Sequence, residues 1–231
     1  TYGIPIRTPS KRYVQFDKPL KLLFLGRHDV SKGVYDLFEI NNILEQRGVF
    51  AEWLILGKGP ETKGLQQQWH SHQNVTFLNP ESTREVLEIA DRADVMVFPT
   101  KFEGFPVALL ECMSQGCVPV VTNLPGGIQE LVEEGITGFR CKINDNEQFA
   151  QSIITLHTNR EMLLQLQMAC IGKVHEKYNA KICAPAYQEV FKKLTEDEKE
   201  PRHHAINVKI GSRLDKPYIP NFLTSLFRFN K

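Results

Sequence analysis

Glu103 and Glu111 stand on either side of the seven-residue run GFPVALL. A carboxylate at each place can take bidentate hydrogen bonds from vicinal hydroxyls, such as those of a ribose or a hexose. The spacing is too long for an i, i+4 pair on a helix surface. The plain alternative is that Glu103 only favours a helix dipole and Glu111 only faces solvent. Between the two acids, Gly104 permits a sharp turn, and Pro106 presets a helical φ while removing one donor. The amides of Gly104, Phe105 and Val107 would then emerge from a helix N-terminus, a cradle suited to a diphosphate.

A second candidate is the basic loop GRHDVSKG, residues 26–33, in which Arg27 follows Gly26 at a strand end and Lys32 opens the next helix. A cation at a helix start opposes the macrodipole, and the misfit is relieved if an anion sits between the two charges and the helix amides. Solvated surface groups are the alternative. Gly126 and Gly127 open another helix, and their lack of side chains would let a sugar or phosphate approach the backbone.

Other patterns carry less chemistry. Gly57 and Gly59 follow a strand and invite a dinucleotide-binding assignment, but position 62 is Thr and the next strand ends in Asn79-Pro80, without the acid a ribose would need. A tight turn explains that pair of glycines. His28, within the basic loop, could touch a phosphate but reads first as a solvated loop histidine, while His70, His72, His203 and His204 have no Cys or carboxylate at metal-ligand spacing. No Ser/His/Asp arrangement, nucleophile elbow or Walker loop is present.

Positioning these loops requires alternating strands and helices. Short apolar runs at 22–26, 52–57, 74–79, 94–99, 118–122 and 138–142 alternate with amphipathic stretches, which predicts β-α units around a six-stranded, mainly parallel, doubly wound α/β sheet. In such a sheet ligands bind outside the carboxyl ends of the strands, where the candidate loops fall. Ser31 is expected to cap a helix that runs to Arg47 and stops at Gly48. Ser82 with Glu85 forms a capping-box pattern, and a helix is expected from about Pro106 to Gln115. Three helices follow, the last with Pro185 in its first turn. Residues 1–20 form an expected linker remnant, 21–198 a domain, and 199–231 a basic, irregular tail.

The totals are ordinary for a soluble domain: 231 residues, 42% hydrophobic and 24% charged, with a formal charge of +1. No global field recruits nucleic acid, so any anion site must be local. Five cysteines without a C-x-x-C pair suggest reduced thiols and a cytoplasmic setting. The N-terminus lacks the apolar core of a signal peptide, and the chain begins as though cut from something longer.

Taken in order, G-R-x4-K-G, G-x-G-P-E, A-D-V-x-V-x-P-T, E-G-F-P-V-A-L-L-E, G-C-V-P-V-V and G-G-I-Q-E-L-V resemble the C-terminal donor-binding domain of the family 4 (group 1) retaining glycosyltransferases, from about Lys21 to Lys193. The resemblance implies one half of a GT-B fold and a nucleoside-diphosphate sugar as co-substrate, with no cofactor and no metal. It implies that Arg27 and Lys32 bind the diphosphate and stabilise it as leaving group, that Glu103 lies near the transferred sugar, and that Glu111 holds the ribose. It also implies that Gly26, Gly104, Phe105, Pro106, Val107 and the Gly126-Gly127 turn line the donor, with Leu78 and Asn79 near the base.

Asn79-Pro80 stands where many relatives have Gly after the third strand, and Pro106 replaces the last Gly of E-G-F-G; both blur the identity of the donor. The expected partners are an N-terminal acceptor domain and a glycan or lipid-linked acceptor. The tail residues Lys209, Arg213, Lys216, Phe222, Leu226, Phe227 and Arg228 are candidates for peripheral membrane contact. A nicotinamide-dependent oxidoreductase and a non-catalytic nucleotide-sugar-binding module are the rivals.

Overall fold

The computed structural model describes residues 3–9 and 18–197. Its backbone gathers into two units, Thr1–Ala186 and Tyr187–Lys231. The expected tail and half of the expected linker lie outside the described residues.

The first unit is built on β1 (Leu20–Leu25), β2 (Ala51–Leu56), β3 (Val75–Leu78), β4 (Val95–Phe98), β5 (Val118–Thr122) and β6 (Phe139–Cys141). These form a single parallel sheet in the order β3-β2-β1-β4-β5-β6. Every residue of β4 and β5 is buried, as a sheet covered on both faces requires. The helices are α1 (Asp36–Gln46), α2 (Thr62–Gln68), α3 (Thr83–Ala90), α4 (Val107–Ser114), α5 (Gly127–Leu131), α6 (Asn146–Thr158), α7 (Arg160–Lys177) and α8 (Ala180–Asp197), whose residues from Tyr187 onward belong to the second unit. The six expected strands are all present, each within two residues of its predicted ends.

Local chemistry sets the ends of the helices that matter here. Ser82 caps α3 by accepting from Glu85 N at 3.3 Å, while the Glu85 carboxylate reaches back to Glu81 N at 2.9 Å, one residue earlier than a reciprocal box would place it. Pro106 is the N-cap of α4, in an extended conformation, with Val107 as the first helical residue. Gly48 takes the left-handed conformation expected just past α1, at φ 73°.

Two expectations need correction. Ser31 does not cap α1. Asp29 caps a 3-10 turn over Val30–Lys32, accepting from Ser31 N at 2.9 Å and Ser31 Oγ at 2.7 Å, and Gly33 ends the turn at φ 68°. The shorter carboxylate loop wins because it satisfies two donors at once, so Lys32 lies ahead of α1 rather than in its first turn. The last helix begins at Ala180, two residues earlier than expected, so Pro185 falls inside it rather than in its first turn. The start is set by Ile4, which donates to the Tyr178 carbonyl at 2.8 Å and accepts from Ala180 N at 2.9 Å.

The core sits on both faces of the sheet. Phe24, Trp53, Trp69 and Phe149 are its largest fully buried side chains, and each such burial contributes about 1.5–3 kcal/mol. Trp53 satisfies its indole N–H on Asn41 Oδ1 at 2.9 Å, so a polar handle is buried at no hydrogen-bonding loss. No disulfide joins the five cysteines, and all five are buried. No helix among the described residues is long and apolar enough to cross a membrane.

Candidate functional site

The strand order reverses between β1 and β4, the switch point outside which open α/β sheets bind their ligands. The loop after β1 carries Arg27 and Lys32, and the loop after β4 carries Glu103. Backbone hydrogen bonding docks one on the other. Lys101 N donates to Ser31 O at 2.8 Å, and Thr100 Oγ1 donates to Phe102 O at 3.0 Å and, more weakly, to Ser31 O at 3.4 Å. Gly33 makes the approach feasible, since a Cβ there would stand 2.1 Å from the Pro99 carbonyl oxygen.

Lys32 is therefore enclosed. Its Nζ donates to Glu103 Oε2 at 2.7 Å and to Phe102 O at 3.3 Å, and it lies 5.8 Å from the centre of the Phe98 ring. Both partners of the ion pair are largely shielded, with side chains 25% and 16% exposed. Arg27 is exposed and forms no ion pair among the described residues. The two cations expected to act together thus differ: one is engaged by a carboxylate and the other is open to solvent.

Glu111, in the second turn of α4, is half-buried beside the fully buried Leu109, Leu110, Cys112 and Met113. Burial raises its pKa above the ordinary carboxylate value, and it forms no ion pair among the described residues. The solvent-facing alternative for Glu111 does not hold. At the head of α4, Gly104 N donates to its neighbour's Glu103 Oε1 at 3.2 Å, while Val107 sits in the first turn, where no helical carbonyl precedes it. Phe105 is half-buried, with its ring 6.2 Å from that of Tyr178, and Pro106 is buried.

The Gly126-Gly127 turn lies directly against this head. Gly127 N donates to Gly104 O at 3.2 Å, and a Cβ on Gly127 would meet Gly104 O at 2.6 Å and Phe105 Cα at 2.8 Å. Gly126 caps α5 at φ 93°. Gly127 is thus required by backbone contact between the β4 and β5 loops, whereas Gly126 is required by its positive φ. On the other side, Gly26 N donates to Leu56 O at 3.1 Å. Leu78 ends β3 and accepts from Gly57 N at 2.9 Å, and Asn79 beyond it is exposed.

Gly57 and Gly59 have the structural role of a tight turn. A Cβ on Gly57 would stand 2.1 Å from Gly26 O, and one on Gly59 would stand 2.3 Å from His28 O. The β2 loop packs on the β1 loop at the places where a dinucleotide-binding loop would need space for a pyrophosphate.

His28 is not the solvated loop histidine that the sequence suggests. It is 1% exposed rather than solvated, with Nδ1 3.0 Å from Thr62 Oγ1 and its ring beside Phe24 and Phe77. Its N–H donates to Lys58 O at 3.2 Å and its carbonyl accepts from Glu61 N at 3.1 Å. Burial lowers its pKa below the ordinary 6.5, against a smaller opposing contribution from the Leu56 carbonyl. A neutral, buried imidazole thus pins the residue next to Arg27. Only the ring's packing inside the fold reveals this, because the flanking Arg and Asp are those of a surface loop. No cluster of three or more metal-ligating side chains occurs among the described residues.

A doubly wound parallel sheet, with Lys32 meeting Glu103 across its switch point, defines an α/β domain of the Rossmann-like class. The profile of the family described as Glycosyl transferases group 1 matches residues 19–159, and the chain belongs to this family. It is 27% identical over 186 residues to the amylovoran biosynthesis glycosyltransferase AmsK of Erwinia amylovora, covering 77% of this chain and 46% of AmsK.

Among solved structures, TarM of S. aureus, determined as a variant with fondaparinux, alpha-GlcNAc-glycerol and UDP, superposes with a TM-score of 0.72 at 16% identity, covering 82% of this chain and 38% of TarM. The C-terminal domain of the glycosyl transferase group 1 protein LpcC of Francisella tularensis gives 0.66 at 18% identity, covering 77% of this chain and 99% of that domain. At these identities the superpositions speak for the fold. The chain spans less than half the length of AmsK and TarM.

Proposed function

We propose that this chain is the donor-binding half of a retaining glycosyltransferase, which moves a sugar from a nucleoside diphosphate sugar to a hydroxyl of a glycan or lipid-linked acceptor. The observation that carries the proposal is the meeting of the Arg27/Lys32 loop with the Glu103 loop across the β1/β4 switch point, with Glu111 behind it on α4. Membership of the group 1 family and the presence of UDP in the TarM complex support it.

In this assignment Arg27 and Lys32 neutralise the diphosphate as it leaves, assisted by the amides at the head of α4. The two side-chain cations take the electrostatic role that a divalent metal would otherwise fill. Glu103 accepts from hydroxyls of the moving sugar. Glu111 accepts from the ribose hydroxyls; a carboxylate held half-buried without a cation gains most from such donors. Asn79 and the end of β3 border the base, and the exposed Gly126, whose Cβ position is open, leaves room along the diphosphate. An N-terminal domain contributes the acceptor side of the cleft.

Titration of the chain with UDP, GDP, ADP and NAD, followed by amide NMR shifts, tests the proposal. One nucleoside diphosphate is expected to bind, with shifts at Gly26, Gly104 and Val107. Arg27→Ala and Glu111→Ala should each weaken it by about tenfold or more, the loss of one charge-assisted contact. Binding of NAD that ignores both substitutions would overturn it in favour of an oxidoreductase.

A further inference from the structure

The site's own carboxylate occupies the ammonium that a diphosphate would need. Glu103 Oε2 lies 2.7 Å from Lys32 Nζ, the Phe102 carbonyl takes a second position on the ammonium at 3.3 Å, and the pair is largely withdrawn from water. Glu103 Oε1 accepts at the same time from Gly104 N at 3.2 Å, an amide two residues ahead of the N-cap of α4. Glu103 thus stands as an anion on one side-chain cation and one backbone donor of the proposed phosphate cradle. Arg27 is left exposed, without an ion pair among the described residues.

We infer that Glu103 is an internal competitor for the diphosphate, and that it makes the site prefer a sugar-bearing donor over the bare nucleoside diphosphate. The inference rests on the donor-binding assignment above. Any diphosphate entering the cradle must draw Lys32 and the Gly104 amide away from Glu103, leaving a shielded carboxylate short of donors beside added negative charge. A donor compensates, because its sugar hydroxyls can donate to the displaced carboxylate. A bare nucleoside diphosphate carries one more ionisable phosphate oxygen and offers no hydroxyl at that place. Once the sugar has left, Glu103 loses its donors and returns to Lys32, which favours departure of the product nucleotide.

The opposing case is that Glu103 and Lys32 stay paired while a diphosphate binds elsewhere on the loop. Glu103→Gln separates the two, since glutamine keeps the shape and the hydrogen bonding to hydroxyls but carries no charge. The experiment compares wild type and Glu103→Gln by calorimetry or NMR titration. The probes are pyrophosphate, the best-binding member of the UDP, GDP and ADP panel, and the glucose ester of that nucleotide.

Wild type is expected to bind the glucose ester more tightly than the free nucleotide. Glu103→Gln is expected to tighten pyrophosphate and the free nucleotide by about tenfold, the value of one shielded charge-assisted contact, without tightening the glucose ester to the same degree. Lys32→Met should weaken both nucleotide probes. If Glu103→Gln leaves pyrophosphate and the ratio of nucleotide to ester unchanged while all probes bind, the competitor role is wrong and the donor-binding assignment stands. If neither protein binds any probe, the donor-binding assignment fails and the inference falls with it.

Discussion

At the residue scale, Glu111 and Glu103 are both carboxylates of one motif but meet opposite environments. Glu103 has a cation and an amide within hydrogen-bonding distance, whereas Glu111 has apolar neighbours and a pKa raised by burial. The sign of its contribution to stability follows. The folded state holds the Glu111 proton more tightly than the unfolded chain does, so the ionised group costs stability at neutral pH. That cost fades as pH falls toward the ordinary carboxylate value of 4.5. Glu111→Gln should therefore be more stable than wild type at pH 7, with the advantage shrinking toward pH 4, as read by urea denaturation at the two values. The same substitution should weaken nucleotide binding. A variant less stable than wild type at pH 7 would show that Glu111 is held by a favourable partner instead. The two glutamates and the two cations were legible because their types and order survive in the linear chain. That Lys32 is already paired was not, since its partner is 71 residues away.

At the element scale, the site is an agreement among loops whose glycines are fixed by neighbouring backbone. The head of α4 and the head of α5 touch through Gly104 and Gly127, and a single methyl at Gly127 would be driven into a carbonyl at 2.6 Å and a Cα at 2.8 Å. Neither obstacle is the end of a flexible side chain. Gly127→Ala is expected to cost about 1–3 kcal/mol in urea denaturation, as overpacking at a close approach does, and to perturb the amide shifts of Gly104 and Phe105. Unchanged stability would mean that the two turns are free to separate.

The capping signals of α3 and the ends of α4 could be read in advance, because caps are local hydrogen bonds between residues close in sequence. The front of α1 could not. Ser31 and Asp29 are both good capping residues, and the choice went to the carboxylate that satisfied two donors while the β4 loop took the Ser31 carbonyl.

At the scale of the whole molecule, the first unit carries the loops after β1, β4 and β5 at the carboxyl ends of its strands. The proposed reaction needs an acceptor and further catalytic groups from a second domain, so the 231-residue chain is expected to bind a nucleoside diphosphate without transferring sugar. A radiolabelled donor incubated with the chain and a mixed set of glycan acceptors should release sugar no faster than a blank. Chelation with EDTA should leave nucleotide binding unchanged, because Arg27 and Lys32 supply the positive charge in this assignment. Sustained transfer by the chain alone would place the acceptor site within it, and loss of binding in EDTA would show that a metal takes part.

The alternation of apolar runs and capped amphipathic stretches was sufficient for the sheet, since side-chain periodicity is a local property and a parallel sheet needs both faces covered. The order of motifs along the chain was sufficient for the family. Tertiary structure alone decided which charges meet, that His28 is buried and neutral beside Arg27, and that Gly57 and Gly59 serve loop packing. The physical reason is that ion pairing, desolvation and close backbone approach depend on groups that the fold brings together from the loops of different strands, β1 with β4 for the charges and β1 with β2 for His28 and the glycines. No spacing within a single loop records that distance.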